Sequence, residues 1–324
     1  MRKFVIPQTN LSVTRLAYGN MQIGGSWDDR APLAEDRAKA TRVIARALEC
    51  GINFFDHADI YCRGKSEMVF GDALRELRVN RTDVILQSKC GIRFGADPNP
   101  GDPARYDFSC EHITHAVEGS LRRLRTDYLD ILLLHRPDAL VEPREVARAF
   151  DELRRAGKVR YFGVSNHTPG QIALLRKFVT QPLVVNQLEL NLWHHELISE
   201  GLLANNDAAH YTNATGILEY CRAQEMILQA WAPVAGGRLM DPPRDADAGI
   251  TRAAALVARL AQLRNTSREA IALAWLLRHP APIQPILGTT NPERVAASCL
   301  ADEIELTREE WYALLEAARG EPAP

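Results

Sequence analysis

The sequence predicts one eight-stranded parallel α/β barrel, a (β/α)8 TIM barrel, and three observations carry that reading. Short apolar runs rich in strand-forming residues alternate with longer amphipathic stretches along nearly the whole chain. There are eight such runs: Leu16–Gly19, Ile52–Asp56, Val84–Lys89, Tyr128–Leu134, Val159–Val164, Leu183–Gln187, Ile227–Ala230 and Ile283–Leu287. Most are continuously apolar, as strands covered on both faces must be. No Gly-x-Gly-x-x-Gly turn follows the first run, and Gly24–Gly25 and Gly236–Gly237 lack that spacing. The rival open sheet of the dinucleotide-binding type is therefore disfavoured.

Helical periodicity fills the intervals at Asp36–Glu49, Glu67–Leu77, Glu111–Leu124, Arg144–Ala156, Pro169–Phe178, Ile217–Arg222 and Ala254–Arg264. Two C-terminal helices follow, Arg268–Leu277 and Arg308–Ala318. No break in composition divides the chain, so residues 1–324 read as a single domain. Residues 1–15 read as a hairpin turning at Gln8-Thr9-Asn10 and plugging the N-terminal end of the barrel. Residues 193–213 form an unusually long connection, of the kind that is functional or disordered.

Lys and Arg total 39 against 41 Asp and Glu, a net charge of −2. That balance excludes a broad nucleic-acid surface. The N-terminus, MRKFVIPQTN, loses its apolar run at Pro7 and does not make a secretory signal. The densest apolar stretch, Leu129–Leu134, is too short to span a bilayer, so the protein is expected in the cytoplasm with no membrane partner. Six cysteines, at 50, 62, 90, 110, 221 and 299, show neither Cys-x-x-Cys nor zinc-finger spacing and are expected as reduced thiols, with Cys50 a small core residue.

Barrels of this kind build their active sites at the C-terminal ends of the strands. The second strand ends in Asp56, with Tyr61 in the loop beyond; the third ends in Lys89 and the fourth in His135. Singly, a strand-end Lys is more often a solvated flank, a lone His a structural residue, and an Asp a turn former. On three neighbouring strands they make one chemical set. A tyrosine hydroxyl is too weak an acid at neutral pH, and a nearby ammonium lowers its pKa. Asp56 holds Lys89 charged and oriented, and His135 places a substrate carbonyl. The set lacks a hydride source, which a cofactor supplies.

The ordered segments GINFFDHADIY with GKSE (51–67), ILQSKCG (85–91), DYLDILLLHRPD (127–138), GKVRYFGVSNH (157–167), VVNQLELN (184–191) and ILGTTNPERV (286–295) resemble the aldo-keto reductases along essentially the whole chain. HADIY, SKCGI, HRPD and AWAP-x-x-GGRL look most like a bacterial oxidoreductase subgroup of that family. The resemblance implies NADP(H)-dependent reduction of a small-molecule aldehyde or ketone by a catalytic tetrad of Asp56, Tyr61, Lys89 and His135. It implies that Ser165, Asn166 and Gln187 hold the nicotinamide carboxamide and that Trp231 stacks on the ring. Gly19, Asn20 and Ala232 join this cofactor set.

For the phosphate end, Asn291 reads as an N-cap and Pro292 as the first helical residue, so the helix start offers N–H groups to an anion. Arg294 adds a guanidinium suited to phosphate. By the resemblance this segment, with Gly288, Thr289 and Thr290, grips the adenosine 2′-phosphate, although Gly288 stands where many relatives have Lys. Gly236, Gly237 and Arg238 belong to a loop able to fold over the pyrophosphate. The substrate-side candidates are Met21, Trp27, His57 and Trp193, with His57 and Cys62 replacing smaller family residues. His194, His195 and His210 lack a ligand-spaced carboxylate or Cys, so no metal is expected. Two rival readings are a cofactor-binding regulatory subunit on the same fold and a Schiff-base enzyme working through Lys89.

Overall fold

The computed structural model describes residues 1–203 and 215–324. In chain order the strands are β1 (Lys3–Val5), β2 (Ser12–Thr14), β3 (Ala17–Gly19), β4 (Phe54–Asp56), β5 (Ile85–Cys90), β6 (Ile92–Arg93), β7 (Arg105–Tyr106), β8 (Leu129–Leu134), β9 (Val159–Ser165), β10 (Leu183–Glu189), β11 (Ile227–Trp231) and β12 (Ile283–Leu287). Strands β3, β4, β5, β8, β9, β10, β11 and β12 close into a parallel barrel, with β12 pairing back onto β3. β1 and β2 form the antiparallel N-terminal hairpin.

The helices are α1 (Ala34–Glu49), α2 (Lys65–Glu76), α3 (Cys110–Leu124), α4 (Pro143–Arg155), α5 (Pro169–Leu175), α6 (Glu196–Leu202), α7 (Ile217–Ala223), α8 (Ala248–Leu263), α9 (Arg268–Arg278), α10 (Pro292–Cys299) and α11 (Arg308–Arg319). Most start at readable caps. Ser109, Thr168, Ser267 and Thr307 each accept a backbone N–H from their helix's first turn. α8 begins at Ala248 rather than Ala254, because Asp247 accepts from the N–H of Ile250. The 90–108 loop contains the β6–β7 hairpin, and the long connection contains α6. The remainder of that connection, from residue 204 and including His210, lies outside the described residues.

Strand alternation sorts the core into two layers. Outward residues such as Phe55, Leu86, Leu132 and Phe162 pack under the helices. Inward residues Ala17, Phe54, Ile85, Ile131, Val185 and Ile227 fill the barrel floor, where Ile6, Leu11 and Val13 of the hairpin segment close it from below. Each fully buried Val, Leu, Ile or Phe side chain among these contributes about 1.5–3 kcal/mol. At the C-terminal side, Trp275 of α9 stacks on Trp311 of α11 at 5.5 Å. Each indole N–H donates to the other residue's carbonyl, at 3.3 and 3.0 Å, which ties the last helix to the barrel wall.

Candidate active site

Period-two geometry brings the inward residues of neighbouring strands to the upper rim. Asp56 ends β4 and Lys89 lies on β5, both buried. The Lys89 ammonium donates to Asp56 Oδ2 at 2.7 Å, to the His57 carbonyl at 2.8 Å and to Tyr61 Oη at 2.9 Å, so all three of its protons are committed. Tyr61 reaches this point because the loop beyond β4 turns sharply. Its turn continues through Cys62 and Arg63, both left-handed at φ 46° and 57°. The Cys62 thiol donates to the Met21 and Gly25 carbonyls and secures that turn. His135, directly after β8, sets its ring edge-on to Tyr61 at 5.8 Å.

The electrostatics differ from the sequence expectation at Tyr61. Burial raises its pKa, and the opposing pull of Lys89 does not cancel that effect, so the phenol sits above its ordinary value of 10. Burial alone would lower Lys89, but the Asp56 carboxylate and Tyr61 more than offset it and raise the ammonium above 10.5. His135 is held well below 6.5, by burial first and then by Lys89 and Arg136, so its imidazole is neutral. Its Nδ1 is buried without a partner. An unpaired buried acceptor is tolerated better than an unpaired donor, which places the single ring proton on Nε2, toward the cavity.

Beneath the rim lies a layer of buried glutamines from β5, β10, β11 and β12. Gln284 donates to the Thr14 carbonyl of the hairpin at 2.7 Å, and its Oε1 accepts from Gln229 at 2.9 Å. Gln229 Oε1 accepts from Gln87 at 2.7 Å and Gln187 at 3.0 Å, and the same two amides donate to Asp56 Oδ1 at 2.6 and 3.0 Å. The Thr14 carbonyl only accepts, which fixes the orientation of every amide in the chain. Oδ1 of Asp56 thus meets two N–H donors, leaving Oδ2 to Lys89. The sequence reading missed Gln87, Gln229 and Gln284. The available signal was a polar residue at an inward position of each strand, inside an otherwise apolar run.

Above the tetrad a cavity of about 590 Å³ runs between Trp27 and Arg294. It is lined by Gly19, Met21, Trp27, Asp56, Tyr61, His135, Ser165, Asn166, Gln187, Trp231, Ala232, Gly236, Gly237, Gly288, Thr289 and Arg294 of the expected residues. It also takes in Gln22, Ile60, Ile92, Arg136 and Glu269, which no strand-end rule singles out. Along one wall, Ser165 Oγ donates to the Gln187 carbonyl at 2.9 Å, and Asn166, at φ 62°, accepts from the Trp231 indole at 3.3 Å and donates to the His135 carbonyl at 3.2 Å. Gln187 turns its amide nitrogen inward and leaves Oε1 for the cavity.

Several expected contacts fall elsewhere. His57 is fully buried against Phe70, with Nε2 3.2 Å from Asn20 Nδ2, so it shapes the site from behind and does not face a substrate. Asn20 is likewise fully buried, and its amide supports the Asp56 carbonyl. Trp193 lies under the Arg238 guanidinium at 4.8 Å, and neither lines the cavity. Thr290 lines a neighbouring groove with Lys39. The α10 start is not an open anion site: Asn291 Oδ1 already accepts from the N–H groups of Glu293 and Arg294. What it offers an anion is the Arg294 guanidinium, which also donates to Glu269 at 3.2 Å. His194 sits 3.4 Å from Glu189, and His195 Nδ1 is 2.8 Å from Ser199 Oγ.

Comparison with known proteins gives the family and the fold. The model of the Aldo/keto reductase family matches residues 15–319. The oxidoreductase YdhF of Escherichia coli is 37% identical over 286 residues, covering 87% of this chain and 88% of that protein. A 6-dehydroglucose reductase of Novosphingobium aromaticivorans is 34% identical over 322 residues, 98% of this chain and 95% of that protein. Among solved structures, the glycerol dehydrogenase AKR11B4 of Gluconobacter oxydans superposes with a TM-score of 0.82 at 27% identity, over 99% of this chain and 97% of that one.

Proposed function

The chain belongs to the aldo/keto reductase family, and from that premise we propose that it is an NADP(H)-dependent reductase that converts an aldehyde or ketone to an alcohol, with Tyr61 as general acid. The observation that carries this reading is the Lys89 ammonium, which donates at once to Asp56 and to Tyr61 at the head of the cavity. An assembled acid of this kind favours catalysis over cofactor binding alone. A lysine whose three protons are engaged, and whose pKa is raised, is a poor Schiff-base nucleophile.

The cavity suits a nicotinamide dinucleotide. A Cβ built on Gly236, Gly237 or Gly288 meets nothing within 4 Å, so these backbones face open space where a ligand can approach closely. Ser165, Asn166 and the free Oε1 of Gln187 would hold the carboxamide, Trp231 would cover the ring, and Arg294 would meet the 2′-phosphate. A bound reduced nicotinamide supplies a hydride to the carbonyl carbon. Nε2–H of His135 holds the carbonyl oxygen, and Tyr61 gives that oxygen its hydroxyl proton as the C=O bond becomes CH–OH. The phenolate left on Tyr61 is stabilised by Lys89, whose charge Asp56 and the glutamine layer fix in place. Cavity-lining backbone, not a preformed helix-end anion site, does the work at the phosphate end, so cofactor charge selection falls to Arg294.

All six cysteines are free thiols, which supports a reducing, cytoplasmic setting. Among the described residues no helix is long and apolar enough to cross a membrane. The test is NADPH oxidation with aldehydes and ketones, including sugar carbonyls of the kind named for the Novosphingobium relative. Tyr61→Phe is expected to lose about a hundredfold or more in kcat; a variant as active as the parent refutes the assignment. Arg294→Glu is expected to raise the NADPH Kd about tenfold or more, and an unchanged Kd removes the NADP assignment.

A further inference from the structure

One charge beside the tetrad has no part in the proposed reaction. Arg136 follows His135 directly, is exposed, and lines the catalytic half of the cavity together with the apolar side chains of Met21, Trp27, Ile60 and Ile92. The two carboxylates in the same cavity are committed, Asp56 to Lys89 at 2.7 Å and Glu269 to Arg294 at 3.2 Å. Asp138, two residues downstream, is spent on the backbone N–H groups of Phe108 and Leu140. Among the described residues Arg136 therefore has no acidic partner. Its charge nevertheless reaches the site, where it helps hold His135 neutral.

We propose that Arg136 binds a carboxylate on the substrate, so that the preferred substrates are aldehydes or ketones carrying a carboxylate tethered to the reacting carbonyl. This rests on the reductase reading and specifies its substrate class. A guanidinium offers a planar fork that matches a carboxylate bidentately. The walls around it are mostly apolar and Gln22 adds only a neutral amide, so once the carbonyl is on Tyr61 and His135, Arg136 is the charged anchor for the remainder of the molecule. A phosphate-bearing substrate fits less well. Phosphate sites recruit clustered backbone N–H groups or several cations, whereas the other cation near this half, Lys89, has no proton to spare.

The experiment compares two acid and ester pairs, succinic semialdehyde with its methyl ester and terephthalaldehydic acid with its methyl ester, on the NADPH-loaded enzyme. The acids are expected to exceed their esters by about tenfold or more in kcat/KM, chiefly through KM. The KM of the acids, and not that of the esters, is expected to rise with ionic strength. In Arg136→Met the acid-to-ester ratio is expected to fall to one or below, with Arg136→Lys recovering part of it. Equal ratios in parent and Arg136→Met, or a parent that prefers esters, overturns the proposal. Should Arg136→Met fail to fold, the salt series on the parent decides: a salt-independent KM for the acids overturns it. A parent enzyme that oxidises NADPH with none of the four aldehydes overturns the reductase reading itself.

Discussion

Tyr61 is held protonated and His135 neutral, and both states arise mainly from burial. A general acid with a raised pKa stays loaded through neutral pH and is emptied only as pH climbs through a value above 10. kcat/KM for carbonyl reduction is therefore expected to run flat from slightly acid pH to about 10 and then fall, and to show no inflection near 6.5. A pH–rate profile checks both; a step at pH 6–7 that vanishes in His135→Asn contradicts the neutral imidazole. The identity of these residues was legible because period-two strands ending at one barrel face mark Asp56, Lys89 and His135 by position alone. The direction of the Tyr61 shift was not legible. A sequence shows the ammonium nearby but not the desolvation that outweighs it, and for the same reason His57 looked like a pocket residue when it is fully buried.

At the scale of elements, packing overrides propensity in two places that can be tested. Gly71 lies inside α2, where alanine is intrinsically favoured by about 1 kcal/mol. A Cβ there would sit 2.8 Å from the Arg123 carbonyl oxygen and 2.9 Å from Leu124 backbone atoms of α3. Gly71→Ala is expected to destabilise by about 1–3 kcal/mol, read as a lowered urea midpoint at unchanged m-value; a stabilised variant contradicts the close packing of α2 on α3. The glutamine layer makes the second case. Gln229→Leu removes the acceptor that Gln87 and Gln187 share, and leaves one buried N–H of each amide without a partner beneath Asp56. It is expected to cost about 1–3 kcal/mol and to lower kcat more than it raises KM, whereas an effect on stability alone contradicts a role in placing Asp56. The cap of α10 at Asn291 is legible in the chain, with Pro292 as the first helical residue. The start of α8 at Ala248 is not, because its Gly- and Pro-rich flank looks like a loop, nor is α6, which lies inside the long connection after the sixth barrel strand.

For the whole molecule, several histidines are held neutral: buried His167 and half-buried His279 are pushed down to about 4, and buried His57 well below 6.5, in each case chiefly by desolvation. The unfolded chain takes up these protons near 6.5 while the folded chain resists down to about 4. Stability is therefore complete above pH 6.5 and lost as pH falls between 6.5 and 4, at up to about 1.4 kcal/mol per pH unit for each histidine. Urea midpoints across that range check this, and a His167→Gln variant with the parent's slope contradicts it. The barrel and its hairpin plug were legible as a whole because eight apolar runs and their helices recur in order. The cavity's contents were legible only at strand ends; Arg136 and Glu269 line it from positions that no periodicity marks. Hydride transfer in a single turnover is the most direct measurement of the central chemistry, with NADPH preloaded and an excess of aldehyde, comparing the parent with Tyr61→Phe and Lys89→Met. Both variants are expected to bind NADPH with the parent's Kd and to transfer hydride about a hundredfold or more slowly; hydride transfer at the parent's rate in either variant would contradict the proton-donating pair.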